Sequence, residues 1–342
     1  MAADSNEVLW QKICEERTVF IEKTFGPLQE DILKIGHMTG VWPGGGLYKL
    51  KAIELGKDKW LYTTFGLSNP DMPTTVTVSD LNVESENDRV TGSGNTLSKK
   101  ENVPSYPGRP GYGYEIMIVA NESSDWPLWF LQWAVNAEIL NDADLLGRVE
   151  KYDGLTIEDI AVGDGQYINV FISLANSPLP KSIQLTNGEA RILVATVITD
   201  DEMAWSMSNG RQALNEALST ANVGQFSSLD RASIFYSEPL DYSTIDSIEK
   251  AKSFHEKGLL RKTYLFPLEF GGKDIEVNII YLPRHAANKK KAVEEQVMQL
   301  AQQGKIENYS AKPVYKGESF IATTIEIEAS GPDGLKQTIE IW

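Results

Sequence analysis

Leu61-Tyr62-Thr63-Thr64-Phe65-Gly66-Leu67-Ser68 and Gly111-Tyr112-Gly113-Tyr114-Glu115-Ile116-Met117-Ile118 are the two stretches whose reading decides the fold. Both are extended runs of aromatic and β-branched residues with glycine beside them, and each reads as a buried strand. Just upstream, Leu47-Tyr48-Lys49-Leu50-Lys51-Ala52-Ile53-Glu54-Leu55 alternates apolar and polar, as a half-buried strand does. Gly56-Lys57-Asp58-Lys59 then turns the chain into the Leu61 run, so the two strands read as a hairpin.

Outward from these strands the pattern mixes helices with strands. Residues 5–24 read as an amphipathic helix with Leu9, Ile13 and Phe20 inward, Ser5 as its cap and Gly26-Pro27 as its end. Residues 80–110, rich in Gly, Ser, Asn and Pro, read as a long exposed loop. From Trp126, the residues Trp126, Trp129, Phe130, Trp133, Ala137 and Leu140 recur at helical spacing, and Pro127 suits a first helical turn. This aromatic stripe reads as core in preference to a stacking platform for a sugar or base, and it leaves room for one tryptophan partly exposed at a groove as a protein-binding anchor. Residues 167–172 and 182–185 are further strands. Ile192 to Ile198 is a continuous apolar strand. Thr199-Asp200-Asp201-Glu202 is an acidic turn that caps the next segment, and a helix started by Gly210 turns Ala213, Leu214, Ala217 and Leu218 inward. The order is α+β with a mixed sheet, not regular βαβ repetition.

The Leu61 run, the Gly111 run, the Trp126-Pro127 helix and the strand–acidic turn–Gly210 helix block together resemble the suppressor-of-fused domain family, over roughly residues 20–235. The resemblance implies a binding protein with no chemistry of its own. Animal members of that family close two domains around a short peptide, which is added as a β-strand. Bacterial members are often encoded beside secreted toxins and are described as immunity proteins that neutralise them. This chain is similar to the bacterial type: it lacks a long acidic insert, and its C-terminal part does not resemble the animal second domain. Where animal members carry a peptide-contacting tyrosine, the resemblance places Ala137, and it places an acidic contact at Asp153.

Residues 241–258 are polar and helix-prone and read as a connector. Beyond Lys262, strands over 263–266 and 275–282, a helix over 286–303 and alternating strands over 320–328 and 337–341 make a small ββαβββ unit with one solvated sheet face. The expected organisation is a suppressor-of-fused-like domain over 1–240, a connector over 241–261 and a small α+β domain over 262–342. At 342 residues, two domains are the expected count.

Composition narrows the function. A net charge of -16 argues against nucleic acid, since a phosphate backbone needs clustered Lys and Arg, and it permits a basic protein partner. The single Cys14 cannot form an internal disulfide. No apolar run approaches the ~20 residues that span a bilayer, and residues 1–7 lack the charged and apolar regions of a signal peptide. A cytoplasmic protein is expected.

The search for chemistry ends without a site. His37, His255 and His285 lie in separate regions with no metal-ligand spacing. Gly44-Gly45-Gly46 and Gly92-Ser93-Gly94 lack the surroundings of phosphate loops and read as turns. Asp142, Asp144 and Asp153 echo a calcium loop, but Leu146 stands where an oxygen ligand is needed. Asp200-Asp201 and Glu158-Asp159 are explained by helix capping and solvation. No catalytic residue, metal or cofactor is expected. The leading reading is a cytoplasmic protein-binding protein, an immunity or antitoxin-like factor against a basic toxin or nuclease domain. Its candidate partner-binding residues are Tyr114, Trp126, Trp129 and Asp153. The alternatives are a regulatory adaptor or scaffold and, further off, a hydrolase using scattered carboxylates.

Overall fold

The computed structural model describes residues 2–28, 45–78, 85–86, 89–90, 95–100, 108–163, 165–236 and 240–342. His37, Gly44 and the Gly92-Ser93-Gly94 turn lie outside them. The chain forms two compact units, one of Met1–Ile160, Val170–Val197 and Asn215–Asp230, the other of Ala161–Asn169, Ile198–Leu214 and Arg231–Trp342.

The elements run α1 (Ala2–Thr24), β1 (Gly46–Lys51), β2 (Trp60–Phe65), β3 (Thr74–Val78), β4 (Ser85–Glu86), β5 (Arg89–Val90), β6 (Asn95–Lys99), β7 (Tyr114–Ala120), α2 (Trp126–Asn141), α3 (Leu145–Tyr152), β8 (Leu155–Ala161), β9 (Tyr167–Leu174), β10 (Ser182–Leu185) and β11 (Gly188–Ile198). They continue with α4 (Asp200–Asn209), α5 (Arg211–Thr220), β12 (Phe226–Ser227), α6 (Ile248–Glu256), β13 (Arg261–Tyr264), β14 (Ile279–Leu282), α7 (Arg284–Gln302), β15 (Asn308–Val314), β16 (Thr324–Ser330) and β17 (Leu335–Glu340).

The mixed sheet has the order β1-β2-β7-β11-β9-β8, with β10 on β11 and β12 on β7. The hairpin is present as read, with Leu47 opposite Thr64 and Leu50 opposite Leu61. Strand β7 is central: it pairs antiparallel with β2, Thr63 opposite Met117, and parallel with β11, Leu193 opposite Ile116. All seven of its residues are buried, as expected of a strand covered on both faces. Side chains alternate across a sheet. Met117 and Val119 therefore join Ile13 and Ile21 of α1 and Phe25 just after it in one core, whereas Tyr114 reaches α2 through Glu138.

Glu115 points to the α1 side and is fully buried. Its carboxylate accepts from Arg17 Nη1 at 3.2 Å, Thr64 Oγ1 at 2.7 Å, Ser68 Oγ at 2.6 Å and the N–H groups of Gly66 and Ser68, each at 3.0 Å. Arg17 also donates to Asn69 Oδ1 at 2.5 Å and lies over the Phe65 ring at 4.4 Å, while its Nε has no partner in the described structure. The turn after β2 is thus folded around one buried carboxylate. Gly111 must approach it closely: at φ +58° a Cβ there would stand 2.3 Å from the Leu67 carbonyl oxygen.

Three expectations fail here. Ser5 lies inside α1 and does not cap it. The 80–110 stretch is not simply loop, because it carries β4, β5 and β6, and β6 pairs with β3. The strand expected from residue 275 begins only at Ile279, after a 3₁₀ turn over Glu276–Asn278.

In the other unit the order β13-β14-α7-β15-β16-β17 realises the ββαβββ pattern, with β15 supplying a strand to which the sequence reading assigned no residues. β16 alternates buried Ile325, Ile327 and Ala329 with exposed Glu326 and Glu328, giving the solvated face. Ile245 and Ala251, from residues read as connector, are buried in the core with Leu282, Ala286 and Ile339.

Candidate functional site

Helix α2 is apolar around most of its circumference, so sequence alone cannot orient it. Its buried face carries Phe130, Leu131, Ala134, Val135, Glu138 and Ile139. The stripe read as core divides: Trp126 and Phe130 are inside, but Trp129 is 53% exposed, Trp133 37% and Leu140 58%. Spaced four and seven residues apart, these three share one solvent-facing line. Trp133 is backed by Phe130, their rings stacked at 5.9 Å, so the exposed indole rests on the core.

From Pro110 to Gly147 the chain has no Lys, Arg or His. Glu115 and Glu138 in that span are buried. Asp125 stands exposed at the start of α2, 3.9 Å from Lys49, and Asp142 closes its end in the left-handed region (φ 50°), bonded to Lys100 at 2.6 Å. The apolar line therefore runs between acidic ends.

The four sequence-derived candidates take different places. Tyr114 is fully buried, and its hydroxyl donates to Glu138 Oε2 at 2.5 Å. Glu138 also accepts from the N–H groups of Leu145 at 2.9 Å and Asp144 at 3.2 Å. Burial raises the carboxyl above its ordinary range, while the Tyr114 hydroxyl and the two N–H groups pull it back. Burial, then the adjacent Glu138, raises the Tyr114 hydroxyl well above its usual value. Trp126 is buried, its Nε1 3.5 Å from Glu122. Trp129 stands on the exposed line of the same helix. Asp153 is exposed, in the left-handed region at φ 56°, where α3 ends and Gly154 leads into β8. The structure brings Tyr114 and α2 together through Glu138, a residue the sequence reading did not single out; its signal is a lone carboxylate on an apolar helix face.

Other candidates for chemistry have internal partners. His255 Nδ1 lies 3.0 Å from the Leu260 carbonyl and His285 Nε2 3.0 Å from that of Ile341. The calcium-like stretch is occupied by helix α3. Among the described residues, no three His, Cys, Asp or Glu side chains are grouped as metal ligands, and no helix is long and apolar enough to cross a membrane.

The family model for Suppressor of fused protein (SUFU) matches residues 48–232. This chain belongs to the suppressor of fused family. The matched span runs from β1 past α5 and includes the whole of α2. No curated protein matches. Among solved structures, a SUFU homolog from Neisseria gonorrhoeae FA 1090 is 12% identical with a TM-score of 0.42, over 68% of this chain and 100% of that one. Drosophila Suppressor of Fused is 14% identical with a TM-score of 0.37, over 66% of this chain and 51% of that one. A chain of the Sufu–Fu complex is 15% identical with a TM-score of 0.35, over 66% and 92%. On the SUFU helix, Ala137 is half-buried and lies between Trp133 and Leu140 on the exposed line.

Proposed function

We propose that this SUFU-family chain is a cytoplasmic protein-binding protein that acts as an immunity or antitoxin-like factor, occluding a basic partner such as a toxin or nuclease domain. The observation that carries this reading is the exposed Trp129–Trp133–Leu140 line in a span without basic residues. Tryptophan is enriched among residues that dominate binding energy, and an indole already held against the core loses little freedom on docking. A partner that buries this line meets Asp125 and Asp142 at its ends, both exposed beside their own Lys49 and Lys100, so basic groups flanking apolar ones would compete for these two carboxylates. The net charge of -16 steers such a partner from a distance, more strongly at low salt. Membership of a family that includes a protein crystallised as a Sufu–Fu complex supports binding, not catalysis, as the activity.

The test uses the purified chain and the product of the neighbouring gene, which this reading expects to be a basic, toxin-like protein. Trp129→Ala should weaken binding by about 2 kcal/mol, the size of a hot-spot truncation. Asp153→Lys should weaken it more than Glu318→Lys, a reversal at an exposed residue of the other unit. Equal effects from the two reversals would leave only bulk charge, and no binding to or protection from that product would sink the immunity reading.

A regulatory adaptor is the second reading, favoured by the segment between β13 and β14. There Val277 is 81% exposed, with Ile275 and Leu268 also open to solvent. The Asn278 side chain holds this segment by bonds to Phe266 N at 2.7 Å, Phe266 O at 2.8 Å and Lys273 O at 3.0 Å.

A further inference from the structure

The acidic turn Asp200-Asp201-Glu202 is neither solvated nor a helix cap alone. Thr199 and Glu202 do form a reciprocal capping box at the start of α4. Yet all three carboxylates also reach other segments of the second unit. Asp200 accepts from Arg261 through Nε and Nη2, both at 2.7 Å, from Arg284 Nη1, and from Asn169 Nδ2 at 2.7 Å. Asp201 accepts from the hydroxyl of Ser233 and from Thr199 Oγ1 at 2.7 Å. Glu202, fully buried, accepts from Arg231 Nη1 at 2.6 Å and from the Ile234 N–H at 3.0 Å.

The backbone repeats the arrangement. Gly258, at φ +72°, lies so close that a Cβ would stand 2.3 Å from the Asp200 carbonyl oxygen. Arg284, the first residue of α7, also donates to the Tyr167 carbonyl at 2.9 Å. Asp200, Asp201 and Glu202 thus engage Asn169, residues 231–234, 258–261 and Arg284, that is, the start of β9, the stretch after β12, the turn into β13 and the start of α7.

We infer that this acidic turn is the latch on which residues 231–342 assemble, so that the C-terminal ββαβββ segment holds its structure only while the carboxylates of Asp200 and Glu202 engage their arginines. A guanidinium left without its carboxylate in a site this enclosed is strongly disfavoured. Opening Asp200 would take the shared carboxylate from Arg261 and Arg284 together, leaving Arg284 its bond to the Tyr167 carbonyl, and both arginines begin elements of that segment. Local openings of this kind are read amide by amide through hydrogen exchange.

The experiment measures amide exchange on the full chain and on Asp200→Asn. Exchange should quicken by about tenfold or more in β13, α7 and β16, the fold-change equivalent of one lost charge-assisted hydrogen bond, with amides of β2 and β7 unchanged. Arg284→Gln should give a smaller effect of the same pattern, and adding it to Asp200→Asn should change little further, since the partner is already gone. If Asp200→Asn does not fold, Arg284→Gln alone carries the test. Lys262→Ala, which breaks the exposed pair with Asp274, should leave exchange as it is. Unchanged exchange in α7 and β16, an equal rise in β7, or fully additive effects of the two substitutions would each overturn the latch.

Discussion

Replacing Arg17 by Met isolates what the buried pair under α1 contributes. Met keeps the aliphatic bulk over Phe65 but removes the guanidinium, which donates to Glu115, Ser68 and Asn69. Breaking a buried pair from one side costs about 3–5 kcal/mol, because the remaining charge stays desolvated. Glu115 keeps its hydroxyl donors from Thr64 and Ser68 and the N–H groups of Gly66 and Ser68, which places Arg17→Met near the lower end, about 3 kcal/mol. With a urea slope of about 2 kcal/mol per molar, the midpoint of the first unit's transition should fall by about 1.5 M. Glu115→Gln should be at least as damaging, since its amide nitrogen must face N–H donors. The double variant should be less destabilised than the sum of the two by about 1–3 kcal/mol. The assay is urea unfolding followed by hydrogen exchange in β7, which reports the first unit alone. A midpoint moved by less than about 0.3 M by Arg17→Met, or strict additivity, would refute the reasoning that this pair is coupled and buried.

Two other outcomes follow from α2 and its surroundings. Burial raises the folded-state carboxyl of Glu138, so ionising it is harder in the fold than in the unfolded chain; its contribution is fully present below the unfolded carboxylate value and is lost as pH rises through the raised value. Unfolding midpoints between pH 4 and 8 should show this loss, Tyr114→Phe should move it to higher pH by removing a donor that favours the ionised form, and Glu138→Gln should abolish it; an unaltered profile in both variants would assign the dependence elsewhere. Phe130→Ala should destabilise by about 3–5 kcal/mol, whereas Trp129→Ala should change stability by less than about 1 kcal/mol; thermal unfolding that ranks them the other way would mean the helix is turned with its tryptophans inward.

Much of the architecture was legible because its signals are local. β2 and β7 declare themselves by aromatic and β-branched runs beside glycine, β11 by an unbroken apolar run, and the C-terminal unit by alternation around one helix. The orientation of α2 was not legible, since a helix apolar on nearly every side carries no stripe to point inward. Ile275 and Val277 show the converse: of two β-branched residues at strand spacing, Ile275 caps a 3₁₀ turn and Val277 sits inside it, where the Asn278 side chain bonds the Phe266 and Lys273 backbone. The polar stretch holding β4 to β6 hid its pairing, because pairing there uses backbone groups that composition does not report. Of the candidate site, Trp129 and Asp153 lie at the surface. Tyr114 and Trp126 lie beneath it, a distinction of depth that spacing cannot supply.

Tyr114 and Glu115 are adjacent in sequence, yet one bonds to α2 and the other to α1. A slip of β7 by a single residue would turn each to the opposite face, bringing the Glu115 carboxylate to the side of Glu138 in one direction or the Tyr114 phenol to the side of Arg17 in the other. Seven buried residues of ordinary apolar character would tolerate such a shift far better. The two polar neighbours therefore act as alignment pins for the central strand: they penalise every misregistered sheet more than they favour the correct one. A sequence that kept β7 apolar at both positions would gain burial and lose two polar checks on which register it adopts.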